Sequence, residues 1–335
     1  MSSRRNKGSK KTKQGETVQK EDAKAVRARK EGRLETSKWT NLVIRQAIQM
    51  ARKVEADALL CYMESPKDLS VFSRTQLDTR LILLSKRKDF VENARERELN
   101  AVLLPDVKLT RIGYLKLGFL TAMSKGLLKN GDIVVCVGGV PEQGYMDTIV
   151  VVEAGHESEF FGGGDEFTFP GNVPSEVFET LLDFVIELAN EGREGKPVGS
   201  IFVLGDHEKV LELSYQLVLN PFKGHSDKDL SLFNADVRES LKEFSSIDGA
   251  FVIRADGAVL AAGRYLNVVY QGDPLPQGLG SRHSAAAAIT QASDSMAMAI
   301  SESTGRVTIF RKGKILSEIE KASSRDYSKR SQALE

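Results

Sequence analysis

Short, wholly apolar runs alternate with stretches of helical spacing from residue 39 onward, and this rhythm sets the expected fold. Ile44, Ala47, Ile48 and Ala51 recur at helical intervals, followed by the strand-like Ala58-Leu59-Leu60-Cys61-Tyr62-Met63. Leu81 to Leu84, a polar helical stretch from Asp89 to Glu98, Ala101 to Leu104, and a long amphipathic stretch from Ile112 to Leu128 come next. Asp132 to Val137 and Thr148 to Val152 close the series. Fully apolar strands interleaved with helices predict an α/β unit with a mostly parallel sheet covered on both faces.

Residues 154–173 read as a linker, with Gly162-Gly163-Gly164 inside and Pro170 and Pro174 about its end. No Lys-Ser/Thr follows the glycines, so they do not form a Walker loop. A helix carrying Val177, Leu181, Phe184, Val185 and Leu188 on one face should end near Gly192. Ser200 to Leu204 should be a buried strand, and a second helix should run from Glu208 to Leu219, stopped by Asn220-Pro221-Phe222. Ala250–Ile253 and Val259–Ala262 flank a turn at Ala255-Asp256-Gly257, Arg282 to Ala292 is helical, and Ala297–Ser301 with Arg306–Arg311 closes a mixed sheet as a hairpin. The expected domains are therefore 39–153 and 174–320, with a polar tail over 321–335.

Composition adds three points. The 335 residues, 41% hydrophobic, suffice for two domains. Cys61 and Cys136 share no metal-like spacing and sit in apolar segments, as buried structural thiols do. Residues 1–34 hold 12 Lys/Arg against 4 Asp/Glu, about +8, so the net charge of +1 leaves about −7 beyond them. This arm, 1–38, is too poor in apolar residues to fold, with helical character at most from Glu21 to Leu34. It has no aromatic residues for base stacking, so a solubilising extension is favoured over nucleic-acid binding. No apolar run is long enough to span a membrane and the N-terminus does not read as a signal peptide, which predicts a cytoplasmic protein.

The segment Gly131-Asp132-Ile133-Val134-Val135-Cys136-Val137-Gly138-Gly139-Val140-Pro141, with the order of elements before it, resembles the C-terminal domain of pyruvate kinase. The resemblance implies a sensing or assembly role. Gly138 and Gly139 could admit a phosphate, although two glycines before a proline more often only turn the chain.

Asp248-Gly249-Ala250, Ala262-Gly263-Arg264-Tyr265-Leu266, Gly280-Ser281-Arg282-His283, Asp294-Ser295 and Ser301-Glu302-Ser303-Thr304-Gly305 occur in the order seen in diadenylate cyclases. Singly, Asp-Gly-Ala is an ordinary turn and Arg-His a pair usually satisfied by packing. Together they resemble that family, and with the first domain they resemble its soluble archaeal-type members. The resemblance implies condensation of two ATP into cyclic di-AMP and two pyrophosphates, with Mn2+ or Mg2+ as cofactor, and a homodimer or higher homo-oligomer with facing sites.

By the same resemblance, Asp248 binds the metal near the attacking hydroxyl, with Glu302 a second metal ligand. Gly249 and Ala250 admit a ribose or base, and Leu266 packs on the adenine. Gly280 and Ser281 contact the nucleotide, Arg282 and His283 the phosphates, and Ser301, Glu302 and Ser303 hold the triphosphate. Three positions depart from the pattern: Ser284 replaces a second arginine, Ile247 a histidine found in some members, and Ser303 a second glutamate. These keep open an inactive sensor of ATP or cyclic di-AMP. The arm alone leaves a nucleic-acid-binding scaffold as a third reading.

Overall fold

A computed structural model describes residues 38–65, 69–73, 79–140, 145–155, 169–170, 172–272 and 274–322. The basic arm through residue 37, the glycine-triplet segment and the tail beyond residue 322 lie outside them, and residue 38 begins the first helix. Among the described residues no helix is long and apolar enough to cross a membrane.

The first sheet takes the order β3-β2-β1-β4-β5, built from β1 (Ala58–Tyr62), β2 (Arg80–Ser85), β3 (Asn100–Leu103), β4 (Ile133–Val140) and β5 (Tyr145–Glu153). The first four pair in parallel and β5 returns antiparallel. Side chains alternate across β1. Leu59 and Cys61 face a cluster with Ile44 and Ile48 of α1 (38–53) and Phe90 and Val91 of α3 (Lys88–Glu96). Leu60 and Tyr62 face α4 (Arg111–Ser124). A short α2 (Ser70–Ser73) lies between β1 and β2. Both cysteines are buried thiols, and the sheet has the mostly parallel, doubly covered form that its apolar strands predict.

Gly138 and Gly139 find a structural use. A Cβ on Gly139 would lie 2.2 Å from the Tyr145 carbonyl, at a register shift between β4 and β5, and one on Gly138 would lie 3.0 Å from Leu115. Close packing accounts for both residues.

The stretch expected to be amphipathic is instead buried nearly all round. Tyr114, Leu115, Leu117, Phe119, Leu120 and Met123 of α4 are all buried, because the helix packs on the first sheet with one side and on α5 (Ser175–Glu191) and β12 (Lys314–Ile319) with another. A helix apolar on every face must lie between layers. Each such side chain contributes about 1.5–3 kcal/mol when removed from water, and the resulting cluster is continuous from Leu60 and Phe119 through Leu181 to Phe202 and Met298. Thr110 caps α4 by accepting from Gly113 N at 3.0 Å, a contact worth about 1 kcal/mol.

The second sheet has seven strands in the order β12-β11-β10-β6-β8-β9-β7. β6 (Ile201–Leu204) runs parallel to β8 (Ala250–Ile253). β9 (Val259–Leu266), β10 (Met296–Ile300), β11 (Val307–Arg311) and β12 pair antiparallel. One face packs on α5 and the other on α8 (Ser281–Ala292).

Three elements correct the sequence reading. The helix expected from Glu208 to Leu219 stops as α6 (His207–Glu212). Ser214 Oγ donates to the Val210 carbonyl, and the chain turns into β7 (Ser214–Gln216), whose Tyr215 stacks on Tyr265 of β9. Pairing at the sheet edge outweighs the weak propensity of a short helix. A further helix, α7 (Ala235–Phe244), is capped by Asn234. β12 extends the expected hairpin to three strands, and its continuation ties back to the first unit. Glu320 O accepts from Thr110 N, and Lys321 bridges to Leu109.

Candidate functional site

The starts of β6 and β8 and the end of β10 lie together, because β6 is parallel to β8 and antiparallel to β10. Three loops therefore meet at one end of the sheet. They carry Gly199-Ser200, Asp248-Gly249 and Ser301-Glu302, and α8 begins beside them.

Arg282, in the first turn of α8, joins the loops. Its Nη1 donates to Glu302 Oε2 at 3.2 Å, and its Nη2 lies 3.9 Å from Asp248 Oδ1. Both carboxylates are open to solvent, with the Asp248 side chain 92% exposed and that of Glu302 62%. Gly280, the residue before α8, offers no side-chain cap, and its carbonyl accepts from His283 N at 3.0 Å and Ser284 N at 3.2 Å, which leaves the N–H groups of Ser281 and Arg282 to meet an anion beside a guanidinium.

Gly249 is held at φ +101°, and a Cβ there would sit 2.6 Å from the Gly263 carbonyl carbon. The glycine lets the Asp248 loop enter β8 against β9. Ser301 and Ser303 lie with their hydroxyls 3.3 Å apart in a tight turn closed by Gly305 N donating to Ser301 O.

The structure brings Asp248, Gly249, Gly280, Ser281, Arg282, Ser301, Glu302 and Ser303 to this end of the sheet. It places three expected ligand contacts differently. Ala250 and Leu266 are buried in the core beneath α8. His283 is 5% exposed, lies edge-on to Phe310, and its Nε2 has no hydrogen-bond partner among the described residues. Burial holds its pKa below the ordinary value, with Arg306 and Arg282 lowering it further against Glu318. A neutral, buried imidazole packs the helix, while Arg282 alone of the pair faces solvent.

Reading by motif missed a pocket of about 690 Å3 beside β7 and β9, lined by Leu211, Leu217, Leu260 and Arg264 among others. The Arg264 guanidinium is turned inward to Ser214 and the Leu211 carbonyl, which fixes β7 against β9. β7 is too short and too polar for its pattern to have marked the pocket.

Two exposed carboxylates about one arginine at a helix N-terminus set candidate cation ligands beside donors that suit an anion. Residues 187–315 match the family model described as DisA bacterial checkpoint controller nucleotide-binding, and residues 40–161 match one described as a probable sensor domain. A diadenylate cyclase of Methanocaldococcus jannaschii is 30% identical over 298 residues, 82% of this chain and 95% of that protein. One of Haloferax volcanii is 34% identical over 271 residues, 79% of this chain and 94% of that protein. The chain belongs to the diadenylate cyclase family. A pyruvate kinase from Cryptosporidium parvum aligns over 34% of this chain and 22% of its own at 14% identity, with a TM-score of 0.30, a likeness too slight to bear on function.

Proposed function

We propose that this chain condenses two ATP molecules into cyclic di-AMP and two pyrophosphates, with 174–320 as the cyclase unit and 39–153 as a sensing unit. In each of two equivalent steps an O3′–Pα bond forms, the bond from Pα to the β-phosphate oxygen breaks, pyrophosphate leaves and the hydroxyl proton is released. The convergence of Asp248, Arg282 and Glu302 beside the α8 N-terminus carries the reading.

The Arg282 guanidinium and the N–H groups of Ser281 and Arg282 bind the phosphate chain, where a charged hydrogen bond contributes about 1.5–3 kcal/mol. Ser301 and Ser303 supply hydroxyl donors from the neighbouring turn. Gly249 keeps the loop low enough for a sugar to approach Asp248.

Among the described residues no three His, Cys, Asp or Glu side chains cluster as a complete metal site. Two exposed carboxylates flanking one cation do fit a hard divalent ion that takes its other ligands from phosphate oxygens and water. Asp248 and Glu302 would hold Mn2+ or Mg2+, which when bound neutralises charge on the transferring phosphate and orients it. The hydroxyl of one ATP must meet the α-phosphate of another, and each site holds one ATP, so two protomers face each other.

Incubation with ATP and Mn2+ or Mg2+, followed by mass detection of product, tests the activity. Asp248→Asn should retain the fold and lose product. Product formed undiminished by that variant would overturn the mechanism, and ATP binding without product from the native chain would favour a sensor. Specific activity should fall on dilution below the dimer dissociation constant.

A further inference from the structure

Gly199 precedes β6, outside every motif that marked the site. Its φ lies outside the left-handed region, so the backbone there does not require glycine. Space does. A Cβ at this position would lie 2.5 Å from Arg282 Nη1, 2.9 Å from Arg282 Cζ and 3.1 Å from Glu302 Cβ. Those are its nearest contacts, and both residues belong to the candidate site.

The segment is also fixed in place. Ser200 O accepts from Ile300 N at 2.9 Å, so pairing of β6 with β10 runs up to the residue beside Gly199. The strand cannot easily retreat from an added side chain. The guanidinium can, because it is the partly exposed end of a long side chain.

We infer that Gly199 is a positioning residue: bare backbone at the entrance to β6 keeps open the space in which the Arg282 guanidinium lies beside Glu302. This rests on the reading of Arg282 as a phosphate ligand. A methyl group at residue 199 overlaps the guanidinium and displaces it from its position beside Glu302 and Asp248. Displacements of about 1 Å in a positioned group can cost about a hundredfold in activity. The fold itself should tolerate the change. At Gly249, by contrast, a Cβ meets backbone at 2.6 Å under a φ of +101°, and substitution there strains the sheet.

A double-substitution cycle tests the inference. ATP binding in the presence of Mg2+ is measured by calorimetry, with thermal unfolding alongside, for the full-length chain, Gly199→Ala, Arg282→Ala and the double variant. Gly199→Ala should lose about tenfold or more in ATP affinity while its unfolding midpoint holds. In the Arg282→Ala background the same substitution should cost nothing further, because the space is vacant. If Gly199→Ala misfolds through the clash, the double variant should recover the native midpoint.

Native affinity in Gly199→Ala would overturn the inference alone. An equal loss in both backgrounds, or a double variant that stays misfolded, would do the same. An Arg282→Ala variant that binds ATP as the unmodified chain does would overturn the reading of Arg282, and this inference with it.

Discussion

Arg282 donates to Glu302 across the gap between α8 and the end of β10, at 3.2 Å. The guanidinium thus occupies the ground that a phosphate chain and its cation would share, and it must exchange a carboxylate for a phosphate when ATP enters. Arg282→Ala should weaken ATP binding by about 1.5–3 kcal/mol, the worth of a charged hydrogen bond. Calorimetric titration with ATP reads this directly, and a loss well below that range would show that the helix N-terminus dominates.

His283 gives the fold an acid limit. Its folded pKa is depressed by burial, so the unfolded chain binds the proton more readily. Its stabilising contribution is complete above about 6.5 and is lost as pH falls from there through the folded value. In urea unfolding at pH 7.5 and 5.5, His283→Leu should gain stability relative to the native chain as pH falls, because only the native chain loses this contribution. A difference between the two that does not change with pH would remove His283 from the acid sensitivity.

Asp183, on α5, works in the opposite direction. Burial, with Glu187 and Glu179 repelling and Lys125 attracting, pushes its pKa up from 3.8 to about 7. The raised value means that ionisation costs folding energy. That cost is full above about 7 and gone below about 4. Linkage bounds it at about 4 kcal/mol, and partial solvent access keeps the actual cost below that bound. Asp183→Asn should therefore stabilise the chain at pH 8, with the gain vanishing near pH 4. Denaturant midpoints at the two pH values measure it.

Gly118 sets helix propensity against packing. Alanine favours a helix interior by about 1 kcal/mol, yet a Cβ here would lie 2.1 Å from Leu84 Cδ1 in the core. Overpacking costs about 1–3 kcal/mol, so Gly118→Ala should lower the unfolding midpoint. A rise would mean that Leu84 repacks freely.

Most strands of both sheets were legible because buried strands are apolar runs, and β1, β4, β6 and β10 read that way directly. What escaped has physical causes. β7 has half-exposed side chains and only three residues, so neither run nor alternation marks it. The apolar residues of α4 suggested one covered face, since no pattern shows that a second layer waits on the other side. The site motifs indicated which residues gather but not their depth: His283 adjoins Arg282 in sequence, yet helix geometry turns one inward and the other out. Gly199 gave no signal, because the side chains that require it belong to α8 and to the turn after β10.

The hydrogen bond from Thr110 N to Glu320 O, with Lys321 beside Leu109, bears on the order of assembly during synthesis. The first sheet can pair its own strands as soon as they leave the ribosome, but the covering of α4 waits for strands translated much later. Until then a helix apolar on every side is left partly wet. The nascent first unit therefore carries apolar surface that only the later strands cover, and such surface favours aggregation while it is open.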